Sequence, residues 1–224
     1  MQTGCHAYGR QVCVTNGDNN LEKRKYSAVV FDLGNVLIPF DYSIIIKKVN
    51  EVEAGLGESF YKKYQTDYHI HRQLETWELS TDAFLEIMME WTNHKITKEK
   101  FCEIYSNIFT VNENVASLLP VLKKKYKLVL LSNTNYIHQK YGWEKYEFLK
   151  HFDKLILSHE VGAIKPFEKI YRAVEAFTQL PSDEHIFIDD VLEYVEGAKK
   201  CGWDAVQFLG YENLVAELKL RNIL

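Results

Sequence analysis

Four short stretches hold the residues best able to do chemistry: Asp32 with Gly34 and Asn35, Ser132 with Asn133, Lys165 before Pro166, and the adjacent pair Asp189 and Asp190. Brought together, three carboxylates repel one another unless a cation joins them, and hard oxygen ligands of this kind suit Mg²⁺. Lys165 adds a further positive charge. Such a pocket fits a phosphate group. Mg²⁺ and Lys165 neutralise it, Ser132 and backbone N–H groups hold its oxygens, and one carboxylate is left to attack phosphorus. Taken singly, each stretch has a plainer reading: Asp32 as a helix cap, Ser132-Asn133 as a turn, Lys165 as a solvated lysine, Asp189-Asp190 as a capping pair. What favours chemistry is their order, because each stands just beyond its own expected strand or opens the helix after one.

Those strands are short apolar runs of buried type: Ala28 to Phe31, Leu128 to Leu131, Leu155 to Leu157, Ile186 to Ile188 and Ala205 to Phe208. Between and after them, residues Asn114 to Lys125, Phe167 to Phe177, Tyr194 to Lys200 and Asn213 to Leu220 space apolar side chains three and four apart, as crossover helices do. Strands alternating with helices predict an α/β fold with a parallel, Rossmann-like sheet covered on both faces. In such sheets ligands bind beyond the carboxyl ends of the strands, where the four stretches would fall.

The alternation breaks between about Asp41 and Asn112. Ile44 to Glu53, Ser59 to Tyr64, Thr81 to Trp91 and Thr97 to Phe109 read as consecutive amphipathic helices, with Thr81-Asp82 and Thr97 as capping signals. An inserted α-helical cap domain over 41–112 is therefore expected, with the catalytic core formed by 26–40 and 113–224. Residues 1–25 show no apolar period and read as a disordered tail.

Composition excludes several classes of protein. A formal charge of −4 with scattered Lys and Arg leaves no footprint for nucleic acid or an anionic membrane, and no apolar run approaches the ~18 residues of a spanning helix. Cys5, Cys13, Cys102 and Cys201 lack Cys-x-x-Cys spacing and read as free thiols in a cytoplasmic protein. The expected partner is a small phosphorylated metabolite. The oligomeric state is open, and a monomer is compatible with everything in the chain.

The runs Phe31-Asp32-Leu33-Gly34-Asn35-Val36, Leu131-Ser132-Asn133-Thr134-Asn135, Gly162-Ala163-Ile164-Lys165-Pro166 and Ile188-Asp189-Asp190, followed by Glu196-Gly197-Ala198, together resemble the haloacid dehalogenase superfamily of hydrolases. Within it the nearest likeness is to glucose-1-phosphatase-like sugar phosphatases. The resemblance implies that Asp32 is the nucleophile and a Mg²⁺ ligand, and that Gly34 offers its backbone carbonyl to the metal. It implies that Ser132 binds phosphate, with Asn133 beside it, and that Lys165 orients nucleophile and phosphate. Asp190 would bind the metal directly, with Asp189 a direct or water-mediated partner.

Two positions depart from that pattern. Gly34 stands where many of these phosphatases carry an aspartate that serves as general acid, which leaves Asp41 as the nearest acidic substitute and favours a good leaving group such as a sugar hemiacetal. Tyr194 stands where an asparagine is more usual. The alternatives are a 2-haloacid dehalogenase, for which the acidic pair would be unneeded charge, and a non-catalytic regulatory protein on the same fold. His69 and His71 read as a solvated pair, because residues two apart on a helix do not face each other. The cap aromatics Tyr61, Tyr64, Tyr68, Trp77, Trp91 and Phe101 read as core, some of them reaching the pocket mouth.

Overall fold

A computed structural model describes residues 25–224; the expected tail, Lys25 apart, and with it Cys5 and Cys13, lies outside the described residues. Five strands form one all-parallel sheet: β1 (Ala28–Phe31), β2 (Lys127–Ser132), β3 (Lys154–Leu157), β4 (His185–Asp189) and β5 (Asp204–Gln207), in spatial order β3-β2-β1-β4-β5. Alternation along the strands sorts side chains to the two faces. Val29, Phe31, Leu128, Leu130, Ile186 and Ile188 enter one apolar cluster, while Val30, Val129, Leu131 and Phe187 enter the other. Both faces are covered, which is why the strands read as continuous apolar runs rather than alternating ones.

Between β1 and β2 lie α1 (Ser43–Asn50), α2 (Leu56–Thr66), α3 (Tyr68–Glu75), α4 (Thr81–Trp91) and α5 (Lys98–Ser106), followed by the short α6 (Glu113–Ala116) and α7 (Leu119–Leu122). One helix was expected over 114–125. The chain instead makes two turns, because Pro120 lacks the N–H that a continuous helix would need and sits in the first turn of α7. Thr97 caps α5 as expected, its hydroxyl accepting from Lys100 N–H, but α4 is capped one residue earlier than expected, by Ser80. After β3 come α8 (Ser158–Val161) and α9 (Glu168–Thr178), then α10 (Leu192–Lys200) and α11 (Tyr211–Leu220).

Helices α1 to α5 bury a cluster of their own, built on residues such as Phe60, Phe84, Met88, Phe101 and Tyr105. The two crossings between this unit and the sheet pair with each other: Asp41 N–H donates to the Ile108 carbonyl, Thr110 N–H to Pro39 and Asn112 N–H to Leu37. On this ribbon we propose the division into a cap at 41–112 and a core at 26–40 with 113–224. The cap also rests on the core beyond β2, where a π-helical turn, His138–Trp143, lies against α5. There Ser106 Oγ donates to the Ile137 carbonyl, and Ile137 joins the cap cluster.

Candidate active site

Because β1 lies between β2 and β4, the residues after these three strands converge on one edge of the sheet. Asp32 follows β1, Ser132 ends β2 and Asp189 ends β4. Lys165 reaches them from the loop before α9. Its Nζ stands 2.6 Å from Asp32 Oδ1, 2.6 Å from Asp189 Oδ2 and 3.3 Å from the Leu131 carbonyl, with the residue only 1% exposed. One buried ammonium thus serves two buried carboxylates. Burial works against its charge, but Asp189 and Asp32 outweigh burial and hold the lysine above its ordinary range. Burial raises the Asp32 carboxyl, Lys165 pulls it down and Asp189 pushes it up again, leaving it at about 7.

Three carboxylates, those of Asp32, Asp189 and Asp190, each bring an oxygen within 4.8 Å of the others. That hard, anionic donor set fits a divalent cation of the Mg²⁺ class. Asp190 is half-buried, raised by that burial, and oriented by Asn35 Nδ2 at 3.1 Å from its Oδ2. Asn35 has a positive φ of 53°, a backbone state that asparagine tolerates better than most residues. Asp189 has less to offer a metal, since Lys165 takes one oxygen and Val191 N–H, at 2.8 Å, takes the other. The Gly34 carbonyl accepts one hydrogen bond, from Val36 N–H at 2.6 Å, and keeps a second lone pair.

Ser132 is buried, and its hydroxyl makes only a long 3.4 Å contact with the Asn133 carbonyl, so it is free for an anion. Asn133 lines the cavity beside Ser132, and its side-chain amide clamps Lys165, Oδ1 accepting from Lys165 N–H at 2.8 Å and Nδ2 donating to the Lys165 carbonyl at 3.2 Å. Asn133 positions the lysine loop. Asp41 parts from its expected role. It does not line the cavity; its carboxylate accepts from Ser43 N–H and Ser43 Oγ, both at 2.8 Å, which lowers its pKa and keeps it ionised, so it is suited to opening α1 and holds no proton to donate.

Asp32, Gly34, Ser132, Lys165 and Asp190 all line one cavity of about 220 Å³. Its other wall comes from the cap and the segment after β2: Tyr42, Tyr68, His71, Arg72 and Glu75, with His138. His71 is therefore not half of a solvated pair. It is buried, with Nδ1 at 2.7 Å from the Tyr105 hydroxyl and Nε2 at 3.2 Å from Glu75 Oε1, while His69 is exposed. Tyr194, at the position where an asparagine is more usual, has its ring centroid 5.0 Å from Lys165 Nζ and its hydroxyl accepting from Arg72 across the cavity at 3.1 Å.

A model of the haloacid dehalogenase-like hydrolase family matches residues 29–208, most of the chain and every residue of the sheet-edge constellation. The chain belongs to the haloacid dehalogenase-like hydrolases. Within reach of the family are a D-ribitol-5-phosphate phosphatase of Bacteroides thetaiotaomicron, 25% identical over 189 residues that cover 80% of this chain and 90% of the relative. A family enzyme of the same organism, solved in complex with magnesium and inorganic phosphate, superposes with a TM-score of 0.72 at 26% identity, covering 81% of this chain and 93% of the other. The L-2-haloacid dehalogenase of Xanthobacter autotrophicus shares the fold with a TM-score of 0.58 at 19% identity, over 89% of this chain and 84% of its own.

Within the family frame, what sequence reading missed is the cap wall. The segment of His69 and His71 reads as a helix or turn, but α3 is short and polar and its inward face leaves no apolar signal. The signal that was there is the 71, 72, 75 spacing, which puts His71 four and Arg72 three residues from one glutamate. Of the cap aromatics, Tyr64, Trp91 and Phe101 are core, Tyr68 lines the cavity, and Trp77 is exposed on the surface.

Proposed function

We propose that this hydrolase is a Mg²⁺-dependent phosphatase of a small phosphorylated metabolite, a sugar or polyol phosphate, working through an aspartyl-phosphate on Asp32. The observation that carries the reading is Lys165 Nζ held at 2.6 Å from both Asp32 and Asp189, beside Asp190, at the carboxyl edge of the sheet. Asp32, Asp190 and the Gly34 carbonyl would hold Mg²⁺, with Asp189 binding directly or through water. When bound, the ion neutralises phosphate oxygens and keeps Asp32 ionised. Asp32 Oδ1 is pinned by Lys165, which leaves the other oxygen to attack phosphorus as the bond to the leaving oxygen breaks. Ser132 and Lys165 face the charge that develops. Water then attacks phosphorus, releasing phosphate and restoring the carboxylate.

The relative's D-ribitol 5-phosphate and the neighbour's complex with magnesium and phosphate support the substrate class and the metal. So does the size of the cavity, about 220 Å³, which is below the roughly 300–1,000 Å³ of pockets that take drug-sized ligands. The test is phosphate release from a panel of sugar 1-phosphates, sugar 6-phosphates, polyol phosphates, nucleotides and glycolytic intermediates, with Mg²⁺ and with a chelator. Release from sugar or polyol phosphates that stops with chelator and returns with Mg²⁺ is expected. Chelator-insensitive release, or halide release from 2-haloacids instead, would overturn the proposal. The same panel weighs the expected advantage of anomeric phosphates against the primary ester of the relative.

A further inference from the structure

The phosphate chemistry uses the sheet side of the cavity and leaves the cap side without a task. On that side Glu75 is 5% exposed, its Oε1 meeting His71 Nε2 at 3.2 Å and its Oε2 accepting from Arg72 at 3.0 Å. Burial opposes its charge, but His71 and Arg72 outweigh burial and hold the carboxyl below its ordinary range. A carboxylate has about four acceptor positions, and these two partners leave the rest for something in the cavity. Arg72 in turn donates to Tyr194 on the core side.

His138 adds an unmet donor. Its backbone N–H fixes Asn135 Oδ1 at 3.0 Å, which turns the Asn135 Nδ2 donor toward His138 Nδ1 at 3.3 Å. The ring proton therefore sits on Nε2, which has no hydrogen-bond partner although the residue is only 6% exposed and lines the cavity. The Tyr105 carbonyl draws on the ring without closing a hydrogen bond. Burial, helped by His71, pushes the imidazole down to about 3 and keeps it neutral.

The charges of the cavity are also spoken for. Among its lining residues the lysine and the arginine are both paired, Lys165 with Asp32 and Asp189, Arg72 with Glu75. Once Mg²⁺ and Lys165 have met the phosphate, a second anionic group on the substrate finds no free cation, and it finds Glu75 on the wall. A hydroxyl, donor and acceptor at once, finds partners of both kinds.

We propose that Glu75 and Arg72, with His138 beside them, form a hydroxyl-reading subsite that selects a neutral polyol as leaving group and refuses a second phosphate or a carboxylate. The proposal rests on the phosphatase reading above and adds the charge type of the substrate. Repulsion between like charges is a direct way to exclude a wrong ligand.

The test uses the full chain and a matched pair, a pentitol 5-phosphate and the corresponding pentonate 5-phosphate, which differ only in a terminal CH₂OH or carboxylate. With Mg²⁺ present, kcat/KM should favour the polyol by about thirtyfold or more, as expected where a like charge is opposed. Glu75→Gln, which keeps the shape and removes the charge, should shrink that ratio to below about fivefold. Arg72→Gln, which strips Glu75 of its compensating cation, should enlarge it. Opposite shifts from two neighbours on one helix are not what a purely structural role produces. A wild type that takes both substrates equally, or variants that change both substrates in parallel, would overturn the subsite. Absence of Mg²⁺-dependent release from every monoester, p-nitrophenyl phosphate included, would instead overturn the phosphatase reading.

Discussion

Two buried ionic clusters face each other across the cavity, and they are built in opposite senses. On the sheet side one cation, Lys165, stands between two carboxylates, with a third, Asp190, alongside. On the cap side one carboxylate, Glu75, stands between Arg72 and His71. The first cluster is short of positive charge and complete only with a metal; the second is balanced as it stands. On the proposed reading the difference separates what the two sides do: the side with the deficit would bind the metal and do chemistry, and the balanced side would recognise the leaving group.

Removing the central residue tests this contrast most strongly on the sheet side. Lys165→Ala leaves two buried carboxylates facing each other, and breaking a buried pair in this way typically costs about 3–5 kcal/mol of stability. Turnover should drop by about 10²–10³-fold as well, because a preorganised positive group is lost. Urea unfolding and phosphate release measure the two effects. Glu75→Ala should cost less stability, since Arg72 is partly exposed and can turn to water. A larger loss for Glu75→Ala would break the contrast.

Next in size is Gly197. A Cβ there would lie 2.8 Å from Pro166 Cβ and 2.8 Å from the Tyr171 hydroxyl, so α10 packs on the lysine loop only because this position has no side chain. Gly197→Ala should destabilise by about 1–3 kcal/mol, the usual cost of overpacking. It should also lower kcat by shifting Lys165, without changing the preference between polyol and acid substrates. A change in preference alone would tie α10 to the cap side.

The metal deficit has a pH signature. Asp32 titrates at about 7 in the fold and near 3.9 when unperturbed. Between those values the folded chain holds a proton that the unfolded chain has released, so this group makes the metal-free protein less stable as pH rises through that window. Mg²⁺ displaces the proton, and its stabilising effect should grow over the same range. The melting temperature with Mg²⁺ minus that with chelator should be larger at pH 8 than at pH 5, and Asp32→Asn should flatten the dependence. An increment independent of pH would mean that Asp32 does not face the metal.

The contrast also explains what could be read from the chain beforehand. Asp32, Ser132 and Asp189 could be placed because each ends a strand or directly follows one, and a parallel sheet brings strand ends to one edge whatever lies between. The cap wall has no such rule. His71, Arg72 and Glu75 share a face of a two-turn polar helix, and only the packing of α3 under α5 and against the π-helical turn turns that face inward. Asp41 misled for a related reason: closeness in sequence to Asp32 does not bring a carboxylate into the cavity lining, and Ser43 occupies both oxygens of this one. Asp41→Asn should accordingly have the smallest effect, a slight fall in melting temperature with kcat/KM within about threefold of wild type, far short of the 10²–10⁴ carried by a general acid. A hundredfold loss would return Asp41 to the site.

The central claim is that Asp32, and no other carboxylate of the cluster, becomes phosphorylated. Acid-quenching the enzyme within a single turnover of its best sugar or polyol phosphate, followed by peptide mass spectrometry, tests it directly. One phosphoryl group should appear on the peptide that contains Asp32, absent without Mg²⁺ and absent in Asp32→Asn. A phosphoryl group on Asp189, Asp190 or Ser132, or turnover with no labelled peptide under conditions that trap the intermediate, would contradict the account.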